Sequence, residues 1–270
     1  MTTPDFTLLE AVRLRRPLIH CISNLVSAND CATLALAVGA SPIMAQAPQE
    51  MAAIAAAGDA AVLNTGTPSE EKFRACLLCG QEDARLGRPV ILDPVGVGAS
   101  PWRLERTEAL LDAFVPALLR VNLGEAQALL HQASQERGVD SPAAGEDLSQ
   151  RAETARRLAL ERGTAVLLSG PEDIVTDGGA LWRVSGGSPR MVQITGTGCM
   201  LSVLCGVFAA AAPDIVTAAV TAAAFWKSCA LRAEELAGGR GPGSFHAALF
   251  DAAGTLRAED CAAGARVCLL

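Results

Sequence analysis

The sequence has no excess of basic residues, few aromatic residues and no long apolar run. Lysine and arginine number 22 against 29 aspartates and glutamates, so the net charge is −7. Such a chain lacks the basic surface that a nucleic-acid backbone or an anionic membrane attracts. Apolar runs such as Met200–Ala212 are shorter than the roughly 20 residues that span a bilayer. We therefore expect neither nucleic acid nor membrane as a partner.

The first residues also lack the features of a secretory signal. Residues 1–11 carry Asp5 and Glu10, and no cationic segment is followed by an apolar stretch. We therefore expect a cytoplasmic protein. With 270 residues and 50% hydrophobic content, the chain can bury a substantial core.

Metal-binding patterns built from histidine and cysteine are lacking. The three histidines, His20, His131 and His246, are far apart in sequence. The nine cysteines are odd in number, and several lie in apolar runs, which favours reduced, buried thiols over disulfides. Cys76 and Cys79 form a single CxxC motif without a second pair, whereas structural zinc takes four ligands. We expect these thiols to be inert.

Short β-type runs alternate with alanine- and leucine-rich helical stretches, which predicts an α/β fold with a parallel sheet. We expect one domain over residues 1–270, with a surface loop at Ser134–Ser149. The predicted strands are Leu18–Ile22, Pro42–Ala45, Ala61–Asn64, Pro89–Asp93, Ala117–Val121 and Ala165–Ser169, with a hairpin of Asp173–Thr176 and Ala180–Val184. The predicted helices are about Asn29–Val38, Gln49–Ala57, Ser69–Leu86, Trp102–Phe114, Leu148–Arg162, Met200–Ala212, Ile215–Leu236 and Ser244–Leu256.

The segment Thr195–Cys199 is rich in glycine and precedes an apolar helix. Backbone N–H groups at such a helix start can converge on an anion, and phosphate is the natural ligand. The alternative is a tight turn into a buried helix. A thiol at the start of a helix has a lowered pKa in many proteins. Cys199 has this position and could hold a reacting hydroxyl. The alternative is that Cys199 is a small buried residue.

Two carboxylates follow predicted strands. Asp93 closes one strand and Glu125 comes shortly after the next, so both could face the crevice beyond the carboxyl ends of a parallel sheet. Oxygen ligands of this kind suit Mg²⁺ held jointly with substrate phosphates. The alternatives are an N-cap or turn residue for Asp93 and a solvated acid in the first helical turn for Glu125.

Two further segments end predicted strands. The run Asn64–Thr67 offers backbone donors and hydroxyls that could orient a polar ligand. Met44 ends another strand, where methionine is more often core filler.

The order of these motifs resembles the hydroxyethylthiazole kinase family of thiamine salvage, which has a ribokinase-like fold. The resemblance spans about residues 18–250. The segments that carry it are His20–Asn24, Gly39–Ala45, Asn64–Thr67, Asp93–Gly98, Val175–Gly178, Thr195–Leu201 and Gly241–Phe245.

The resemblance implies ATP-dependent phosphorylation of the primary hydroxyl of 4-methyl-5-(2-hydroxyethyl)thiazole, with Mg²⁺ bridging the phosphates. It implies a mostly parallel central sheet with helices on both faces. Asp93 and Glu125 correspond to metal ligands, and Cys199 stands where many ribokinase-like relatives have an aspartate that acts as the base. The remaining implied contacts are Arg120 and Ser169 with ATP; Met44, Gly196, Asn24, Thr65 and Gly66 with the substrate; and Gly196, Thr197, Gly198 and Cys199 as the anion hole.

Three positions depart from the family pattern. Ser169 replaces a frequent threonine and keeps the hydroxyl. Val121 replaces a usual glycine and could alter the approach of the backbone to the phosphates, and Thr33 stands where asparagine is common. These departures concern the fit of the substrate more than the class of reaction.

Two other functions and one assembly state are also considered. A related kinase that acts on a hydroxymethylpyrimidine is the alternative enzyme. A nucleotide-binding module without catalysis would need broken metal and anion sites, yet Asp93, Glu125 and the glycines are all present. The resemblance also implies a homotrimer with the thiazole pocket at subunit contacts, which agrees with an apolar, alanine-rich chain.

Overall fold

The centre of the structure, a computed structural model that describes residues 4–132 and 147–270, is a twisted sheet. Within those residues nine strands form this sheet, in the order β2-β1-β3-β4-β5-β6-β7-β8-β9. The first six strands run parallel and the last three continue antiparallel. The strands are β1 (Leu18–Ile22), β2 (Ser41–Ile43), β3 (Ala60–Asn64), β4 (Val90–Asp93), β5 (Leu118–Val121), β6 (Ala165–Leu168), β7 (Asp173–Thr176), β8 (Leu181–Gly186) and β9 (Ala265–Leu269).

Helices cover both faces of the sheet, as a buried parallel sheet requires. Strands β3 to β6 are buried along their whole length. The helices are α1 (Thr7–Arg15), α2 (Ala28–Val38), α3 (Met51–Ala57), α4 (Glu70–Arg85), α5 (Pro101–Ala113), α6 (Leu123–Leu129), α7 (Leu148–Arg162), α8 (Thr197–Ala209), α9 (Ile215–Ala237), α10 (Pro242–Thr255) and α11 (Ala258–Gly264).

Alternation along the strands divides the core into two layers. In β1, Ile19 and Cys21 face a cluster formed with α1, α2 and α8 to α10, whereas Ile22 faces a cluster formed with α3 to α7. Helix α8 lies against the middle of the sheet, where an added Cβ at Gly206 would come within 2.5 Å of Val62. The glycine therefore allows α8 to approach β3 closely.

The predicted α/β class, with a mostly parallel sheet and helices on both faces, is confirmed. The predicted hairpin forms β7 and β8. Strand β2 is shorter than predicted, so that Met44 lies just beyond it. Helix α8 begins at Thr197, three residues earlier than expected, because Gly196 rather than Cys199 is the residue before the first helical turn.

Some elements were not predicted. Helices α1, α6 and α11 are short, and β9 is a half-exposed edge strand without a continuous apolar run. No strand was predicted beyond the hairpin that ends at Val184, so the prediction is incomplete at β9. Of the predicted loop Ser134–Ser149, positions 134–146 lie outside the described residues, while its last two residues begin α7.

Within the part of the chain that the structure describes, no helix combines the length and the apolar character needed to cross a membrane.

Candidate active site

The candidate site lies where the carboxyl ends of adjacent parallel strands meet the start of α8. In open α/β sheets this edge is where ligands bind. Hydrogen bonds and one ion pair join side chains from several strands and helices into a cluster, here called the site network. Its members are Asn24, Asn64, Asp93, Arg120, Ser169, Cys199 and Ser202.

Asp93, the last residue of β4, is the centre of the site network. Its side chain is fully buried. The Oδ2 atom accepts hydrogen bonds from Asn64 Nδ2 and from Ser202 Oγ of α8, each at 2.7 Å. The Oδ1 atom lies 3.3 Å from Nη1 of Arg120. The carboxylate is thus held by three side chains from other elements, which argues against a simple capping or turn role.

Arg120 of β5 links Asp93 to the end of β6. Its Nη2 atom donates a hydrogen bond of 2.7 Å to Ser169 Oγ, which in turn donates to the carbonyl oxygen of Val121. Burial disfavours the charged guanidinium, but the carboxylates of Asp93 and Glu125 raise the pKa of Arg120 above its ordinary value. Arg120 therefore stays a cation in the interior.

Glu125 lies in the first turn of α6 and is buried, so the alternative of a solvated acid there is excluded. It forms a reciprocal cap with Asn122: Asn122 N–H donates to Oε2 and Glu125 N–H donates to Asn122 Oδ1, both at 2.8 Å. Oε1 accepts a 2.9 Å bond from the N–H of Gly96, in the turn after β4. Burial, followed by the charge of Asp93, raises the pKa of Glu125 against the opposing effect of Arg120.

Two asparagine side chains connect Cys199 to Asp93, and their neighbours fix how each amide is turned. Asn24 Oδ1 accepts bonds from the N–H groups of Val26 and Ser27, each at 3.0 Å. Asn24 Nδ2 therefore faces Cys199 Sγ at 3.2 Å and Asn64 Oδ1 at 3.1 Å. Asn64 Oδ1 also accepts from a backbone N–H, which leaves its Nδ2 for Asp93.

The glycines of the loop before α8 allow close packing at the helix start. Gly196 has φ +83°, in the left-handed region, and an added Cβ would lie 2.7 Å from Ser27 Cβ. At Gly198 an added Cβ would lie 2.4 Å from Nη2 of Arg120. The loop is a tight turn into a buried helix, as the alternative proposed, and it also brings that helix start against a buried cation.

The pKa of Cys199 runs against the sequence-based expectation. The residue lies in the first turn of α8, yet burial and then the charge of Asp93 raise its pKa, while hydrogen bonding and Arg120 oppose the rise. The expected lowering by the helix start is therefore wrong. Cys199 is a thiol at neutral pH.

The other predicted contacts lie around this network. Thr65 is buried, and its N–H donates to the carbonyl oxygen of Asp93. Gly66 packs against Asn24, with only 3.0 Å between the Asn24 Cβ and an added Cβ. Thr197 accepts a bond from the indole of Trp226 through its carbonyl. Met44 is half-buried next to the edge strand β2, outside the hydrogen-bonded cluster.

Sequence reasoning missed two participating side chains, Ser202 and Lys72, and it selected the run Asn64–Thr67 without giving the Asn64 side chain a role. Asn64 ends β3 in register with Asp93 of β4, so a polar residue closing an apolar strand was the available signal. Ser202 lies one helical turn after Gly198 in an otherwise apolar helix. Lys72 of α4 donates to the carbonyl oxygens of Ser23 at 2.7 Å and Gly66 at 2.6 Å, and thereby ties the ends of β1 and β3 together.

Fold and site together define an α/β small-molecule kinase of the ribokinase-like class. Residues 9–259 match the hydroxyethylthiazole kinase family. The chain belongs to this family.

The similarity extends over nearly the whole chain. It is 44% identical to a hydroxyethylthiazole kinase of Methanoculleus marisnigri over 96% of this chain and 91% of that protein. A solved structure of a hydroxyethylthiazole kinase protein from Pyrococcus horikoshii OT3 superposes with a TM-score of 0.89 at 32% identity, covering 98% of each chain. A pyridoxal kinase from Staphylococcus aureus, at 14% identity and a TM-score of 0.61 over 79% of this chain and 87% of that one, shares the fold.

Proposed function

We propose that this chain transfers the γ-phosphoryl group of ATP to the primary hydroxyl of 4-methyl-5-(2-hydroxyethyl)thiazole, in thiamine salvage or biosynthesis. The observation that carries the proposal is the site network, which joins the start of α8, Cys199 and the buried Asp93–Arg120 pair at the carboxyl edge of the sheet. Family membership supports the thiazole alcohol as acceptor. The hydroxymethylpyrimidine alternative is not favoured by the relatives found.

The start of α8 and Arg120 suit the phosphates of ATP. Gly196, Thr197, Gly198 and Cys199 supply backbone N–H groups at a helix N-terminus, where the helix dipole favours negative charge. Nε of Arg120 is buried and has no hydrogen-bond partner among the described residues, so an anion could satisfy it. We assign Arg120 and Ser169 to ATP binding on this basis.

The residues proposed as metal ligands fit Mg²⁺ by their chemistry. Asp93 and Glu125 are buried hard-oxygen donors, and the charge of Asp93 acts unfavourably on ionised Glu125. Asp93 Oδ1 and both Glu125 oxygens each accept one bond from the described residues, which leaves lone pairs for a cation. When bound, Mg²⁺ would neutralise charge on the phosphates during transfer.

Cys199 is proposed to position the acceptor hydroxyl. Phosphoryl transfer depends mainly on alignment and electrostatic stabilisation, so a neutral thiol held by Asn24 meets its needs. Gly196, Asn24, Thr65 and Gly66 surround this position and are proposed, with Met44, to contact the thiazole. No covalent phosphoenzyme is required.

The proposed assembly rests on the family resemblance and on exposed apolar side chains, and the proposed location rests on the sequence. We propose a homotrimer in which the Asn24–Met44 region of one chain approaches the Thr195–Cys199 loop of its neighbour. Exposed apolar side chains within the first of these regions, Leu25 at 80% and Val26 at 65% exposure, favour a partner surface there. We also propose that the enzyme is cytoplasmic.

The activity is tested by incubating the protein with ATP, Mg²⁺ and either alcohol, with mass spectrometry of the products. We expect the thiazole phosphate, with kcat/KM about 100-fold above that for the hydroxymethylpyrimidine, because a mismatched pocket costs a few kcal/mol. Faster turnover of the pyrimidine alcohol would support the alternative enzyme. ATP binding without turnover of either alcohol would indicate a nucleotide-binding module.

Neutralising either proposed metal ligand should reduce catalysis more than stability. We expect Asp93→Asn and Glu125→Gln each to lower kcat by at least about 100-fold, because a metal contributes several kcal/mol to the transition state and each 1.4 kcal/mol is tenfold in rate. Steady-state kinetics with and without a chelator, together with denaturant unfolding, measure both effects.

Glu108→Gln is the matched control for the carboxylate variants. Glu108 lies in the C-terminal half of α5 and therefore near the edge of the sheet opposite the site. Its Oε1 atom lies 2.9 Å from His131 Nε2 and 3.7 Å from Arg162 Nη2. It should retain wild-type kcat. Full activity of both site variants, or of the wild type in excess chelator, would contradict the metal assignment.

Replacing the thiol by a carboxylate should preserve catalysis. Cys199→Asp is expected to keep at least about a tenth of wild-type kcat, because a carboxylate can accept both the Asn24 hydrogen bond and the hydroxyl proton. Cys199→Ala, which offers no acceptor, should lose more. An inactive Asp variant that still folds and binds ATP, or a trapped phosphocysteine in the wild type, would refute the positioning role.

Shared sites in a trimer can be tested by mixing two inactive variants, Met44→Asp and Cys199→Arg, after dissociation and reassembly. Suppose that each site takes Met44 from one chain and Cys199 from its neighbour. Trimers that assemble at random from an equimolar mixture of the two variants then have about a quarter of their sites intact. Activity should rise to that fraction of wild type. An active wild-type monomer by light scattering, or inactive mixed trimers of verified composition, would rule out shared sites.

A further inference from the structure

A second buried polar cluster lies on the face of the sheet covered by α3 and α4, apart from the site network. It consists of His20 of β1 together with Cys79 and Asp83 of α4, here called the His–Cys–Asp cluster. Each residue is at most 1% exposed. Their possible ligand atoms all lie within 4.8 Å of one another. None of the three has a role in the proposed phosphoryl transfer.

The hydrogen on the His20 ring can be assigned from its neighbour. Nε2 lies 2.9 Å from the carbonyl oxygen of Ala45, and a carbonyl only accepts, so Nε2 carries the hydrogen. The neutral ring therefore directs the lone pair of Nδ1 toward Cys79, whose Sγ is 3.3 Å away. Metal-binding histidines are oriented in this way, with one ring nitrogen donating to a carbonyl and the other free to bind.

The cluster has one hydrogen too few for its contacts. Cys79 Sγ also lies 3.1 Å from Asp83 Oδ2 and donates its only hydrogen there. With a neutral imidazole and an ionised carboxylate, nothing then lies between Nδ1 and Sγ except their lone pairs. These contacts are satisfied either by one more proton, held on the Asp83 carboxyl group, whose pKa burial raises, or by a metal cation.

We propose that His20 Nδ1, Cys79 Sγ and an Asp83 carboxylate oxygen form a binding site for a divalent transition-metal ion of the zinc class. Imidazole, thiolate and carboxylate are the three ligand types that Zn²⁺ takes in proteins. On binding, the metal–sulfur bond forms as the thiol releases its proton to solvent, with no change in oxidation state. The two charges of the ion are then balanced by the thiolate and the carboxylate, so the buried cluster is neutral.

The cluster gives a role to Cys79, one of the two cysteines of the CxxC motif. Cys79 and Asp83 are four residues apart on α4 and therefore share one face of the helix. The third ligand, His20, comes from β1 instead of from a second CxxC motif. Cys76, one turn earlier, is outside the group. The ion would join β1 and α4 through three protein ligands, one fewer than a structural zinc site takes, and it would act independently of the kinase activity.

The decisive measurement uses the full-length wild type without a metal-binding tag. The protein is unfolded, freed of metal with a chelator, and refolded with Zn²⁺, with Co²⁺ or without either. We expect one ion per chain retained after dialysis, by elemental mass spectrometry, and a higher Tm for the metal-bound form, because binding to the native state alone stabilises it. The Co²⁺ form should show thiolate-to-cobalt charge-transfer absorption.

Variants assign the ligands. Cys79→Ser should abolish the charge-transfer band, and Asp83→Asn should weaken Co²⁺ binding by at least about 10-fold, the lower end of the loss seen even for residues that only support a ligand. Cys76→Ser, a buried thiol on the same helix, is the control and should bind as the wild type does.

A folded wild type that retains no ion after refolding with Zn²⁺, shows no cobalt–sulfur band and has the same Tm in all three conditions would overturn the proposal. The contacts of the cluster would then be satisfied by the additional proton. A band that survives Cys79→Ser and disappears in Cys76→Ser would also overturn it. If a ligand variant does not fold, the three wild-type preparations still decide the question.

Discussion

The buried ion pair between Asp93 and Arg120 is the interaction on which the site depends. Two charges removed from water are tolerated only if their remaining hydrogen-bonding capacity is met, and losing one partner of such a pair costs about 3–5 kcal/mol. The chain meets this requirement with Asn64 and Ser202 on the carboxylate and with Ser169 on the guanidinium. These partners come from β3, α8 and the end of β6, so satisfying one ion pair brings together the ends of four strands and a helix.

The same requirement restricts the small residues nearby. The guanidinium of Arg120 can reach Asp93 only because Gly198 has no side chain in the space that it occupies. Helix α8 can lie close to the sheet only because Gly206 has no side chain toward Val62. Glu125 likewise has two roles, since its carboxylate caps α6 and also accepts a hydrogen bond from the N–H of Gly96. Gly198 and Glu125 thus serve the local structure and also determine how charge is arranged at the edge formed by the carboxyl ends of the strands.

Much of this could be predicted from sequence where local pattern decides the outcome. The apolar runs of β3 to β6 identified the strands, and the quoted motifs placed Asp93, Glu125 and the glycine loop at one edge. Short or half-exposed elements such as α6 and β9 were missed because their stability comes from packing and pairing with distant residues. The raised pKa of Cys199 was missed for a similar reason, since it depends on burial and on Asp93, neither of which is visible in the neighbouring sequence.

The hydrogen bond between Asn24 and Cys199 joins residues that are 175 positions apart, and the bond between Asp93 and Ser202 spans 109. A chain emerging from the ribosome therefore makes the first strands long before α8 exists to cover them. Until then one face of the sheet is exposed to solvent, and the carboxylate of Asp93 lacks its hydroxyl partner. Contacts so distant along the chain form slowly and leave partly folded intermediates prone to aggregation. The order of synthesis thus makes the elements after residue 196, α8 to α11 and β9, the ones that complete both the core and the site.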